Sequence, residues 1–499
     1  MSLEADVIVV GCGPVGLTLV HLLGHAGFSV VCLEREVEAA KQPRAGHIDG
    51  ESMRVWQAAG IAEVAQQACS PSPGIEMLNE RGEVLMRHRT SDEFGPQGWA
   101  RDYALHQPTL EHALRSRLLS MPAVELRVGH SVIGIEQTPD GVNAAYETRE
   151  GSTGQVTARY LVGCDGASSF VRKAIGSRLE VLGPDDPYVV IDAILRNQSV
   201  ELESGGHLYA WPSRPHYLRV SKPWLRWEYK VLPGDDLAKI ATPRFILEFT
   251  RRWVEPGDIE LERAVVYTFH SLLADRWRAD RVLIAGDAAH QQPPFQGQGL
   301  CSGIRDVGNL WWKLARVLRG EANAGLLDTY ESERSPHSRE WIIEATAVGS
   351  IVQTLDPGVA RERDERLLAG DRGALRPISP RLGPGLQADA PPPAGTLAPQ
   401  PFLADGRRLD DVAAARFVLA CAPGMLNAVD GLAHRLLSDT QRVFIVEDDG
   451  ARGALLSGRQ AVVVRPDGYV LGVADDSAGL STLARRLPAS LYPPLATRG

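Results

Sequence analysis

The chain has 499 residues, too many for one ordinary hydrophobic core, so two or three domains are expected. Hydrophobic residues at 44% and charged residues at 23% exclude a disordered or fibrous chain. A formal net charge of −9 without a basic face argues against a nucleic-acid partner, and no apolar run approaches the roughly 20 residues that span a bilayer.

In chain order, Asp6 to Val10 is a short β-branched strand, Leu17 to His25 has helical spacing, and Ser29 to Glu34 is a second strand, together a βαβ unit. The first turn reads Gly11-Cys12-Gly13-Pro14-Val15-Gly16. Its glycines have the spacing that permits a tight turn, close backbone approach to a pyrophosphate and strand–helix packing, while the helix N-terminus offers amide donors to phosphate. Glu34 ends the second strand 18 residues after Gly16, where a carboxylate can hold ribose hydroxyls. This fingerprint does not separate FAD from NAD.

Further on, Asp49 to Ala59 and Gln107 to Met121 read as helices, with Ser70 to Pro73 and Phe94 to Gly98 as loops between them. Val124 to Tyr160 alternates as a small antiparallel meander with a turn at Asp140-Gly141. Tyr188 to Glu262 reads as a sheet with one apolar face, carrying Tyr209, Trp211, Tyr217, Trp227 and Tyr229. Arg281 to Ala285 is a strand, Ile304 to Leu318 an amphipathic helix, and Thr329 to Leu368 a long helical stretch. Ala390-Pro391-Pro392-Pro393 is a stiff linker candidate, and a third domain begins past Arg407.

Two more strand ends carry carboxylates: Asp165-Gly166, and Gly286-Asp287 followed by a run through Pro294, Gly297 and Gly299 to Leu300. A carboxylate there accepts hydroxyl hydrogen bonds strongly; capping of the following helix is the alternative for both aspartates. With these motifs the chain resembles the class A (single-component) FAD-dependent aromatic hydroxylases from Asp6 to about Arg319. Arg226-Trp227-Glu228-Tyr229, the run Phe295 to Gly299, and Asp92-Glu93-Phe94-Gly95 ahead of Gln107-Pro108 resemble the 3-(3-hydroxyphenyl)propionate hydroxylase type within that family.

The resemblance implies an α/β fold: a discontinuous Rossmann-like FAD-binding domain (1–75, 100–180 and 270–385), an inserted mixed β-sheet substrate domain (76–99 and 181–269) and a thioredoxin-like C-terminal domain (395–499). Val464-Arg465-Pro466-Asp467-Gly468-Tyr469-Val470 carries the last likeness, and a lone Cys421 without a CxxC pair argues against redox exchange there and for packing or subunit contact. Bound FAD, transient NADH or NADPH, and O2 as co-substrate are implied. Gly11, Gly13, Pro14, Gly16, Glu34 and Arg35 would hold the ADP half; Arg44, Gln107, Asp165 and Asp287 would approach the phosphates, ribityl chain and flavin; Gly297, Gly299 and Leu300 would face the pyrimidine edge. For Arg44 an exposed side chain, and for Gln107 simple helix capping, are the alternatives.

The implied reaction is hydroxylation of a phenolic ring through a flavin C4a-hydroperoxide, with a 3-(3-hydroxyphenyl)propionate-like phenol as substrate. An aromatic polyketide or heteroaromatic is the alternative substrate, and a non-catalytic flavin-binding protein the alternative of another class. Pocket candidates are His47, Tyr209, Trp211, Arg226, Tyr229 and Pro294, with no general base assigned; sheet core for the aromatics and a salt-bridged strand for Arg226 compete with those roles. The six cysteines form no CxxC pair and have no metal-ligand spacing with histidine, so no metal is expected. The N-terminus has no secretory pattern, so a cytoplasmic location is expected, with a homodimer as the candidate assembly.

Overall fold

Strands β1 (Ala5–Val10) and β2 (Val30–Glu34) are apolar and buried along nearly their whole length because the sheet they share is covered, with the helix Pro14–His25 and the meander strand His130–Gln137 packed against it. The computed structural model describes residues 3–39, 41–90, 93–375, 378–388 and 390–487, so Asp92 of the Asp92-to-Gly95 motif lies outside them. Five parallel strands run in the order Val282–Ile284, Thr153–Gly163, β1, β2, Val124–Val128. Helix α1 (Pro14–His25) crosses from β1 to β2, and the meander strands His130–Gln137 and Val142–Thr148 pair antiparallel off Thr153–Gly163.

A separate seven-stranded sheet is formed by Gly74–Leu78 and Val84–Arg89 together with five strands between Asp186 and Phe269. Residue alternation gives it two distinct faces. Leu218, Val220, Trp227, Tyr229, Val189 and Ile191 pack on one side with residues from the helices Leu237–Ile240 and Pro243–Thr250. Leu208, Met77 and Tyr217 lie on the other, with Phe295, Val348 and Val352 from outside this sheet.

Beyond residue 395, Val443–Ile445, Phe417–Cys421, Ala461–Val464 and Val470–Ala474 form a four-stranded sheet in that order. Its last hairpin enters the main core through charge. Arg465 donates to both Glu333 oxygens at 2.8 Å, and Lys313 donates to Glu333 at 2.7 Å, all three side chains fully buried. The Tyr469 hydroxyl donates to Glu51 at 2.7 Å.

Three sequence expectations change. Thr329 to Leu368 is two helices, Asp328–Val352 and Pro357–Leu368, because Asp356 accepts from the amides of Gly358 and Val359 and Pro357 opens a new first turn. Ser70 to Pro73 is partly strand: Cys69–Pro71 pairs with Asp102–Leu105, which also pairs with His47–Asp49. The helix expected from Ile304 begins at Gly299, its glycine-rich first turn having hidden the apolar spacing. Among the described residues, no helix is long and apolar enough to cross a membrane.

Candidate active site

The β1–α1 turn is shaped by its glycines. Gly11 has φ +97°, and a Cβ there would lie 2.4 Å from the Cys164 carbonyl oxygen; one on Gly16 would lie 2.0 Å from the Gly11 carbonyl oxygen. Beside Gly13, by contrast, a Cβ meets nothing within 4 Å, and no side chain caps the start of α1. Pro14 takes the first helical position, where a missing amide costs nothing. Open space next to uncapped amides is what a pyrophosphate requires.

Glu34 accepts from the Cys12 amide at 2.6 Å and from the Glu36 amide at 2.8 Å, so it also buttresses the turn. Two further lone-pair directions are left for hydroxyls. Arg35 is exposed, with its Nε 3.6 Å from Glu36. Arg115, which sequence reasoning missed, comes to the turn: its Nη2 donates to the Cys12 carbonyl at 3.5 Å and its buried Nε has no partner.

Val15 joins this turn to the second motif, since Cβ atoms on Gly286 and Gly303 would lie 3.1 and 2.6 Å from its methyl groups. The Gly286 amide donates to Asp306 at 3.0 Å; His290 lies 2.7 Å and Arg334 3.0 Å from the same carboxylate. Asp287 is exposed toward the cleft and accepts no hydrogen bond among the described residues. Protein nevertheless encloses that cleft, and this burial lifts its carboxyl above the usual range against the pull of His290 and Arg44. Asp165 is different: it accepts from the Ser169 hydroxyl at 2.5 Å and the Val171 amide at 3.0 Å, so its carboxylate secures the start of the helix Phe170–Ala174.

Arg44 has an exposed side chain whose charge reaches Asp287 and Tyr267. Its backbone is clamped: Gln107 Oε1 accepts from the amides of Arg44 and Ala45 at 3.0 and 2.7 Å, while Gln107 donates to Glu111 at 2.6 Å. Opposite, Pro294–Gln296 forms a short 3-10 turn ending at Gly297, φ +65°, and Gly299 opens the helix Gly299–Leu318 with Leu300 against the core. Gln292 lies beside this helix start with both amide atoms buried and unpartnered.

These features fit FAD: room at Gly13, uncapped amides, the open carboxylate of Asp287 and the orphaned amide of Gln292. Among the described residues no cluster of metal-binding side chains occurs.

The pocket candidates separate. His47 lies between the Gly297 carbonyl at 3.1 Å and Asp102 at 2.8 Å, tying the two loops together. Arg226 is not a free anion partner, because it pairs with Asp192 at 2.7 Å and donates to the carbonyls of Arg44 and Pro43 at 3.0 and 2.6 Å. Tyr229 is fully buried, donating to the Ile240 carbonyl. Tyr209 accepts from Trp253 at 2.9 Å, and Trp211 donates to the Asn79 carbonyl at 2.8 Å with Arg252 over its ring. The aromatic candidates thus serve the covered side of the sheet or its rim, away from the Pro43–Gly46 and Pro294–Gly297 loops.

An α/β fold with a Gly-rich first turn, a cleft carboxylate and a second loop at a helix start defines a flavoprotein of the aromatic hydroxylase class. The FAD binding domain family matches residues 4–345, and the chain belongs to it. A probable NADH-specific resorcinol 4-hydroxylase of Rhodococcus jostii (strain RHA1) is 34% identical over 98% of this chain and 95% of that protein. A 3-(3-hydroxy-phenyl)propionate/3-hydroxycinnamic acid hydroxylase of Burkholderia cenocepacia (strain HI2424) is 33% identical over 96% of this chain and 95% of its own length. In fold, the chain is similar to the flavin-dependent monooxygenase PieE in complex with FAD and substrate, with a TM-score of 0.81 at 22% identity, covering 97% and 99% of the two chains. The protein is a single-component FAD-dependent aromatic-ring monooxygenase using NAD(P)H and O2.

Proposed function

We propose that the enzyme hydroxylates a small, single-ring phenol bearing a second polar substituent, of the 3-(3-hydroxyphenyl)propionate or resorcinol kind, with NADH as reductant. The observation that carries this reading is Arg219, whose Nε and Nη2 are buried without partners on the sheet face turned toward the Pro43–Gly46 loop. A donor in that state suits a carboxylate or hydroxyl on an otherwise apolar ring. Arg219 takes over the anion-binding role that the occupied Arg226 cannot fill.

In this reading FAD, when bound, accepts hydride from NADH and activates O2 for ring hydroxylation. Gly11, Gly13, Pro14 and Gly16, with Arg115, hold its diphosphate; Glu34 holds ribose; Gln107 fixes the Arg44 loop; Asp287 accepts from hydroxyls; and the amides at Gly297 to Leu300 face the electron-rich edge. Val190, Val265 and Phe295 keep water from the reacting ring. The division into an FAD-binding domain (1–75, 100–180, 270–385), a substrate domain (76–99, 181–269) and a thioredoxin-like C-terminal domain from 395 belongs to the same proposal. Its support is that each part has its own sheet.

The test is NADH consumption and product identification with resorcinol, 3-(3-hydroxyphenyl)propionate and a polycyclic phenol. Hydroxylated single-ring product is expected, and turnover of the polycyclic phenol alone would refute the substrate class.

A further inference from the structure

Glu228 stands on the strand Trp224–Lys230 directly opposite Tyr217 and Val190 of its two neighbouring strands. Alternation puts it on the same face as Arg226 and Lys230, opposite to Trp227 and Tyr229. Two contacts locate that face. Toward one end, Arg226 and Arg263 donate to the Pro43 carbonyl, and Arg226 also to the Arg44 carbonyl. Toward the other, Tyr188 meets Phe295 ring to ring at 6.3 Å. Glu228 therefore lies between the two loops that border the flavin site.

The Glu228 side chain is only 12% exposed, yet it accepts no hydrogen bond among the described residues; Arg226 Nη1 lies 3.9 Å from it. Arg226 is already committed to Asp192 and to two carbonyls, so it neutralises Glu228 incompletely. Arg219 is one cross-strand step diagonal to Glu228, a separation of ~7–8 Å between such positions, with its unpartnered Nε and Nη2. Arg219 Nη1 donates to the Tyr217 hydroxyl at 3.5 Å, but its other two nitrogens and the Glu228 carboxylate share one buried face without satisfying each other, a costly arrangement unless a ligand completes it.

We propose that Glu228 is the catalytic base that takes the phenolic proton, with Arg219 stabilising the oxygen left behind. The O–H bond of the phenol breaks, its electron pair stays on the phenolic oxygen, and the proton forms a new O–H bond with the Glu228 carboxylate. The resulting phenolate is the form of the ring most open to attack by an electrophilic oxygen. Burial raises the Glu228 carboxyl above the usual range; Arg226, Arg263 and Arg219 pull the other way, and Asp192 adds to the rise. A base so shifted is better matched to a phenol near neutral pH than an ordinary carboxylate. The aromatic residues beside Glu228 in sequence gave no hint of this, since they face the opposite side.

This assignment rests on the phenol hydroxylase reading above, and the experiment separates the two. The FAD-loaded wild type and Glu228→Gln are assayed for hydroxylated product from pH 5.5 to 9 with two substrates: resorcinol, and a polyfluorinated phenol that keeps a ring hydrogen and is already ionised at the assay pH. With resorcinol, the variant is expected to lose about 10²-fold in kcat and the acidic limb of the pH profile. With the pre-ionised phenol the loss should shrink to within a few-fold, because no proton remains to be taken. An equal loss with both phenols, or an unchanged acidic limb, would overturn the assignment and leave the hydroxylase reading intact. Should the variant fail to retain FAD, the wild-type profiles decide alone: an acidic limb with resorcinol that disappears with the ionised phenol supports the base, and the same limb with both overturns it. No product from any phenol with the wild type would overturn both.

Discussion

Nε2 of His47 lies 2.8 Å from Oδ1 of Asp102, while its Nδ1 lies 3.1 Å from the Gly297 carbonyl oxygen. Both neighbours are acceptors, so the ring satisfies them only as an imidazolium. Burial works against that charge, but hydrogen bonds to Asp102 and Cys301 outweigh it and hold the pKa well above the usual histidine range. A raised folded-state pKa adds stability that is complete below the unfolded value of about 6.5 and lost as pH rises through the folded one. Asp102→Asn should therefore cost about 1–2 kcal/mol at pH 6, with the gap from wild type closing in alkali. Urea unfolding at pH 6 to 10 measures this; a constant gap would refute the charged-histidine account.

The three fingerprint glycines should respond differently to alanine. At Gly11 and Gly16 the added carbon collides with backbone, and at Gly11 the positive φ adds strain, so each change should lower stability by at least about 2 kcal/mol. At Gly13 the backbone is extended and the space open, so the apoprotein should melt within about 1 °C of wild type while FAD affinity falls. Paired thermal melts and flavin titrations separate these cases.

Asp287→Asn and Asp165→Ala form another contrasting pair. Asp287 is open to the cleft, and its replacement should release FAD more than tenfold more readily with little change in apoprotein melting. Asp165 holds a hydroxyl and an amide of its own chain, so its loss should cost about 1 kcal/mol of stability even without FAD. Equal effects of the two changes on the apoprotein would contradict this division.

Arg465→Met tests the buried link to the C-terminal sheet. Burial outweighs the ion pair for Lys313, whose ammonium is held down to about 8, whereas Arg465 and Lys313 overcome burial to keep Glu333 well below the carboxylate range. Arg465 is thus the partner on which the Glu333 charge chiefly depends. Its removal should cost about 3–5 kcal/mol, and Arg465→Met combined with Glu333→Leu should recover part of that loss in thermal unfolding.

The nucleotide side was legible because its signals are local: Gly11 to Gly16, Glu34 and Gly286-Asp287 each place a strand end and a helix start within a few residues. The substrate side was not. Alternation in Arg226-Trp227-Glu228-Tyr229 reveals two faces without telling which one meets Pro43 to Gly46, and the conspicuous aromatics turned out to be covered by Pro243–Thr250 and its neighbour. Arg219 and Arg115 escaped notice because their surroundings depend on cross-strand register and on helix docking. For Asp165, the motif marked the right place, but only the Ser169 and Val171 contacts distinguish support of a helix from contact with a ligand.

The Arg465–Glu333–Lys313 knot also bears on synthesis. Lys313 and Glu333 leave the ribosome well before Arg465, at about 5–20 residues per second, so for several seconds the helices that carry them lack the guanidinium completing their charge balance. Until the hairpin Ala461–Ala474 arrives, Glu333 lacks the two hydrogen bonds that Arg465 donates to it. Ribosome-stalled chains ending before residue 460 would accordingly remain protease-sensitive around Gly299–Leu318, making the tail the closing step of maturation.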